Sequence, residues 1–216
     1  MRPAALVLVP ALAAASGCGR ASAPSSSADA RATIVQSSVS LGDPHIVSDS
    51  TNRLSLLFSV YEPLVALDDA GAFQPSLAER WAVSADARTW TFTLRKGVVF
   101  HNGAKFSAED VVYILNYASN PDSKVKYWTY VNWIKEVKKI DDYKVQIITH
   151  KPFPAAIEFL SCAMPIYPKD YYAQVGSKGF GVKPIGTGPY KVADVEPGKK
   201  IVLEAFDKYF AGSPKG

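Results

Sequence analysis

The chain has 216 residues, 48% of them hydrophobic and 20% charged, with 24 Lys+Arg against 20 Asp+Glu. Ordinary apolar content with a formal net charge of only +4 excludes an intrinsically disordered chain. The 14 Gly and 15 Pro follow no period, which excludes a collagen-like chain, and no apolar run reaches the roughly 18 residues that cross a bilayer.

The N-terminus reads as a targeting segment. Arg2 is a short positive start, Ala4–Ala15 is apolar, and Ala15-Ser16-Gly17 places small residues before Cys18. Residues 1–17 are therefore expected to be a secretory signal peptide. Small residues immediately before a cysteine resemble the bacterial lipobox, in which a peptidase cuts before the Cys and its thiol carries a lipid. Cys18 is the expected lipidation site, giving a membrane-attached rather than membrane-spanning protein. Residues 18–31 are rich in Ser, Ala and Pro, have nothing to bury, and read as a flexible tether. With Cys18 lipidated, Cys162 has no cysteine partner within the chain.

The folded part then alternates strand and helix signals. Thr33–Val39 reads as a strand that enters the turn Gly42-Asp43-Pro44. Arg53–Ser59 reads as a helix, with Leu54, Leu57, Phe58 and Tyr61 on one face. Asp68-Asp69-Ala70-Gly71 is a turn, and Ser76-Leu77-Ala78-Glu79 carries a capping-box signal that predicts a short helix toward Trp81. In Thr89–Leu94, Trp90, Phe92 and Leu94 alternate with threonines, the pattern of a half-buried strand. Ser107–Asp110 caps a helix that carries Val111, Leu115 and Ala118 on its inner face and ends at Asn120-Pro121.

Ile134–Ile140 and Lys144–Thr149 flank Asp141-Asp142 as an antiparallel pair. Short helices are expected from Ala155 to Leu160 and from Pro168 to near Gly176. Gly186-Thr187-Gly188-Pro189, with glycine for unusual φ, turns into the strands Tyr190–Val195 and Ile201–Phe206. Strands and helices without regular βα alternation make the fold class α+β, a mixed α/β chain.

Signals for chemistry are few. His45, His101 and His150 have no partners at metal-ligand spacing, and no nucleophile elbow or phosphate loop occurs. No metal, cofactor or catalytic residue is expected. The basic cluster Lys135, Lys138 and Lys139 is broken by Glu136 and followed by two Asp, so no nucleic-acid partner is expected. The run Tyr127-Trp128-Thr129-Tyr130-Val131-Asn132-Trp133 does stand out. Aromatic side chains with polar tips suit a ligand of mixed character. Tyr127, Trp128 and Tyr130 are candidate ligand contacts, and Trp133, leading into a strand, is expected to pack inward.

Several segments, in order, resemble one family. They are Tyr61-Glu62-Pro63-Leu64-Val65, Pro75-Ser76-Leu77-Ala78-Glu79-Arg80-Trp81 and Trp90–Gly103, followed by Phe106–Val111, Gly186–Val192 and Tyr209-Phe210-Ala211-Gly212. The chain resembles the family 5 extracellular solute-binding proteins, the dipeptide, oligopeptide and nickel receptors of ABC importers.

That resemblance implies a type II periplasmic-binding-protein-like fold: lobe I in two segments, residues 32–64 and 166–216, around a smaller inserted domain, residues 65–165. Family members are longer, so a second lobe is expected beyond Gly216. The resemblance also implies that Ser48, Ser50, Thr51 and Asn52 face the ligand cleft together with the 127–130 loop. The function implied is capture of peptides or similar small solutes outside the cytoplasm by a monomer that is lipid-anchored and partnered by ABC permease subunits. A secreted hydrolase on a similar scaffold and a non-transport signalling co-receptor are the alternatives.

Overall fold

A computed structural model of the chain describes residues 43–44, 57–123, 125, 128–162, 164–196 and 198–214. All of them belong to one compact unit, Ile34–Lys215. The predicted strand Thr33–Val39 and the first turns of the predicted helix Arg53–Ser59 lie outside the described residues. Residues 57–60 are helical and are labelled α1. Next come β1 (Val65–Leu67), β2 (Phe73–Pro75), β3 (Ala78–Val83), β4 (Thr89–Leu94), α2 (Ala108–Ser119) and α3 (Trp128–Val131). They are followed by β5 (Ile134–Asp141), β6 (Lys144–Thr149), α4 (Ala156–Cys162), α5 (Lys169–Val182), β7 (Tyr190–Glu196) and β8 (Lys200–Ala205).

The alternation in β4 builds the core. Trp90, Phe92 and Leu94 are buried, and the sheet they belong to runs β3-β4-β6-β5, antiparallel throughout. In register, Trp90 faces Ile147 and Phe92 faces Val145, so the apolar residues of β4 and β6 share one side. Helix α2 lies over that side with Val111, Ile114, Leu115 and Ala118 fully buried. Its start follows the sequence signal. The Ser107 side chain accepts from Glu109 N, and Asp110 Oδ2 accepts from Ser107 N at 2.9 Å. Two further antiparallel pairs, β1-β2 and β7-β8, complete the strands.

Two expectations are corrected, and one helix end is extended by a second stretch. Residues 76–79 do not open a helix; Ala78–Val83 is β3. The Ser76 hydroxyl donates to Glu62 Oε2 at 2.6 Å, and Leu77 N and Ala78 N donate to the Pro63 and Leu64 carbonyls. With the capping oxygen turned away and both amides used by another segment, pairing with β4 overrides the local signal. The helix expected to end near Gly176 does break there, where Gly176 takes φ 64° and ψ −179°, and a second helical stretch runs on to Val182 within α5. Gly186 and Gly188 are not required for unusual φ. They are required by close approach, because a Cβ on Gly186 would sit 2.0 Å from the Val60 carbonyl oxygen. Strands β1 and β2 had no sequence signal beyond the turn that joins them, where Asp68 Oδ1 accepts from Ala70 N and Ala72 N.

Candidate functional site

The aromatic run of residues 127–133 divides by exposure. Trp133 is 7% exposed, whereas Trp128 and Tyr130 are 42% and 46% exposed. The short helix α3 causes this split. Asn132 N donates to the Trp128 carbonyl at 2.8 Å, closing one turn, so residues 128 and 130 project outward while Val131 is buried.

Beneath the turn lies a stack of rings. Trp133 packs parallel to Phe153 at 4.8 Å, Phe153 meets Phe159 at 5.4 Å, and Phe159 meets Tyr130 at 5.8 Å. Two indole N–H groups fix the backbone around it. Trp133 Nε1 donates to the Tyr130 carbonyl at 2.8 Å, and Trp90 Nε1 donates to the Phe153 carbonyl at 3.2 Å. The outcome is a surface shelf whose rings are held from the core, suited to an apolar group carrying hydrogen-bonding ends. Phe159 belongs to this shelf. Its separation of 29 residues from Tyr130 gave no sequence signal.

A second cluster fixes the frame around Glu62. Its carboxylate accepts from Ser76 Oγ at 2.6 Å and from the Tyr209 hydroxyl at 2.5 Å. Arg95 Nε donates to the Ser76 carbonyl at 3.0 Å and its guanidinium lies 4.9 Å from the Phe210 ring centre. Burial pushes the Glu62 carboxyl above its usual range, opposed by the Ser76 and Tyr209 hydrogen bonds and by the Arg95 charge. Burial and then the Glu62 hydrogen bond push the Tyr209 hydroxyl up, so the phenol stays protonated and donates. A third contact ties residue 43 to α5, where the Tyr172 hydroxyl donates to Asp43 Oδ2 at 2.5 Å. These groups tie separate segments of the chain together.

Of the candidate contacts, Tyr130 belongs to the shelf, and Trp128, two residues before it in α3, is exposed. Tyr127, Ser48, Ser50, Thr51, Asn52 and the lipidation candidate Cys18 lie outside the described residues. Among the described residues, no group of three or more His, Cys, Asp or Glu could hold a metal ion, and no helix is long and apolar enough to cross a membrane.

Residues 72–216 match the sequence family described as bacterial extracellular solute-binding proteins, family 5 Middle. The glutathione-binding protein GsiB of Pectobacterium atrosepticum is 34% identical over 176 residues, covering 80% of this chain and 34% of that protein. Among solved structures, MoaA from A. tumefaciens R10 in complex with mannopinic acid superposes with a TM-score of 0.74 at 31% identity, covering 80% of this chain and 36% of that one. The oligopeptide-binding protein AppA of Bacillus subtilis, in complex with a nonapeptide, gives 0.74 at 27% identity, covering 82% and 36%. The chain thus spans about a third of the length of the relatives it matches, and its mixed helix-and-sheet fold is part of a lobe of a type II periplasmic binding protein. The chain belongs to the bacterial extracellular solute-binding proteins of family 5.

Proposed function

We propose that this chain is part of an extracytoplasmic receptor that captures peptides or peptide-like solutes and hands them to an ABC importer. The observation that carries the reading is the family match across residues 72–216. The named ligands of the relatives, glutathione, mannopinic acid and a nonapeptide, support a solute of that class. Within the proposed receptor, residues 65–165 form the inserted domain, and residues 32–64 and 166–216 the two segments of lobe I. The ligand is gripped by Tyr127, Trp128 and Tyr130 from one side and by Ser48, Ser50, Thr51 and Asn52 from the other. Residues 1–17 are removed as a signal peptide, and lipid on Cys18, followed by the tether to residue 31, holds the monomer at the membrane beside its permease subunits.

A thermal-shift panel tests the receptor reading. Glutathione, dipeptides, a nonapeptide and opines are titrated against the full-length protein. One class is expected to raise the melting temperature in a concentration-dependent way, the added stability reaching about 2.7 kcal/mol at a ligand concentration about a hundredfold above Kd. No shift with any of them overturns the reading. The anchor is tested separately, by metabolic labelling with a fatty acid that Cys18→Ser abolishes.

A further inference from the structure

His101 sits at a junction of three segments. Its backbone N–H donates to the Gly186 carbonyl at 2.9 Å. Its ring lies between the two glycines of the 186–188 segment: Gly186 N approaches Nδ1 at 3.2 Å and Nε2 lies 3.0 Å from the Gly188 carbonyl. From the other side, Gly188 N donates to the Val60 carbonyl at 2.9 Å. The Phe206 ring meets the imidazole edge-on at 4.9 Å. Residues 186–188 are therefore a crosspiece clamped between α1 and the turn at residues 101–103, and the missing Cβ atoms allow the close fit.

The partners assign the tautomer. An amide N–H can only donate, so Nδ1 must be the bare nitrogen, and Nε2 carries the hydrogen given to the Gly188 carbonyl. The proton that would charge this ring has one place to go, Nδ1, where the Gly186 N–H already points. An imidazolium has two donors and no acceptor. After proton uptake from solvent, two N–H groups face each other across the former hydrogen bond, and the crosspiece must release one of them. Lys191 of β7 is the charged group that bears on the ring, and it adds repulsion to a second positive charge.

We propose that His101 is a proton-sensitive clamp: neutral, it locks residues 186–188 against α1, and protonated it releases Gly186 and loosens the junction. Burial first, and Lys191 second, hold the imidazole below its ordinary value of 6.5, with the Gly188 carbonyl opposing. The unfolded chain therefore takes up this proton before the folded one. Stability from His101 is complete above the ordinary value and is lost as pH falls from there through the lower, folded value. The buried carboxyls of Glu62 and Asp110 are raised by burial, so their linkage has the opposite sign, favouring the fold as pH falls. An acid-induced loss at this junction does not come from them. The clamp does not depend on the proposed receptor function. On the proposed domain division, it also joins the inserted domain to lobe I, so acid would weaken that attachment.

The test is ligand-free and uses the intact chain. Ring ¹⁵N NMR at about pH 7.5 is expected to show His101 with hydrogen on Nε2. Amide-exchange protection of Gly186, corrected for the intrinsic pH dependence of exchange, is expected to fall about tenfold, the loss of one hydrogen bond, as pH is lowered through the titration of His101 itself. His101→Asn keeps a side-chain acceptor but takes no proton, and should flatten the response. Hydrogen on Nδ1 at neutral pH, or Gly186 protection that stays constant while His101 titrates, overturns the proposal. Both readings come from the unsubstituted protein, so they decide the matter even if the Asn variant fails to fold.

Discussion

A methyl group placed on Gly186 would sit 2.0 Å from the Val60 carbonyl oxygen and 2.7 Å from Tyr61 Cδ1. Backbone atoms cannot move aside as a flexible side chain can, so Gly186→Ala is expected to cost about 1–3 kcal/mol or more, as overpacking does. Gly198 gives the control. It has φ 74° with open space around it, so Gly198→Ala carries only the strain of a left-handed alanine, about 1 kcal/mol. Urea denaturation of the two variants should separate them, and equal losses would remove the close-approach argument. Glu62 offers a second comparison. Tyr209→Phe keeps the ring against Phe210 but takes one donor from a carboxylate already penalised by burial. The expected loss is about 1.5–3 kcal/mol, the range for a hydrogen bond to a charged group, read from the same denaturation curves.

Among the elements, β5 is an edge of the four-stranded sheet and would present unpaired backbone to other chains. Asn116 on α2 covers it. Its Nδ2 donates to the Val137 carbonyl at 3.0 Å, and its Oδ1 accepts from Val137 N at 2.9 Å. One amide side chain thus imitates a strand partner at the middle of the edge. Asn116→Asp keeps the acceptor but sets a charged oxygen against the Val137 carbonyl. It is expected to destabilise by more than Asn116→Leu, with both variants forming more aggregate than the parent on light scattering. No difference between Asp and Leu would assign Asn116 to simple space filling.

The same helix shows what was readable beforehand. Ser107 and Asp110 cap it where the sequence put the cap, because that signal needs only neighbours one turn away. Val111, Leu115 and Ala118 faced inward as their spacing required. The Asn116–Val137 pairing was not readable, since nothing local links residues 21 apart. Ser76 was misread for the same reason: its partner, Glu62, lies on another segment and converts a cap into a crosslink. In the candidate site, the inward turn of Trp133 was legible from the strand it enters, whereas Phe159, brought in by α4, was visible only in the fold.

For the molecule as a whole, the shelf poses a question that stability and binding answer differently. Trp133 stacks on Phe153 and holds the Tyr130 carbonyl, so Trp133→Ala should cost about 3–5 kcal/mol, as large core truncations do, and binding would fall with the fold. Trp128 is 42% exposed, and Trp128→Ala should leave the melting temperature nearly unchanged, within about 0.5 kcal/mol. Tyr130→Ala falls between them, because its ring also rests on Phe159. If the shelf grips the solute, Trp128→Ala and Tyr130→Ala lower affinity by about tenfold or more, the scale of losing an aromatic contact in a binding pocket. That loss would not track the change in melting temperature. Calorimetric titration of each variant, with whichever solute raises the parent's melting temperature, supplies the comparison. Affinity losses that simply follow stability would make the shelf part of the core's outer wall and move the ligand contacts elsewhere. Unchanged affinity in both variants would leave the family fold intact and remove these two residues from the grip.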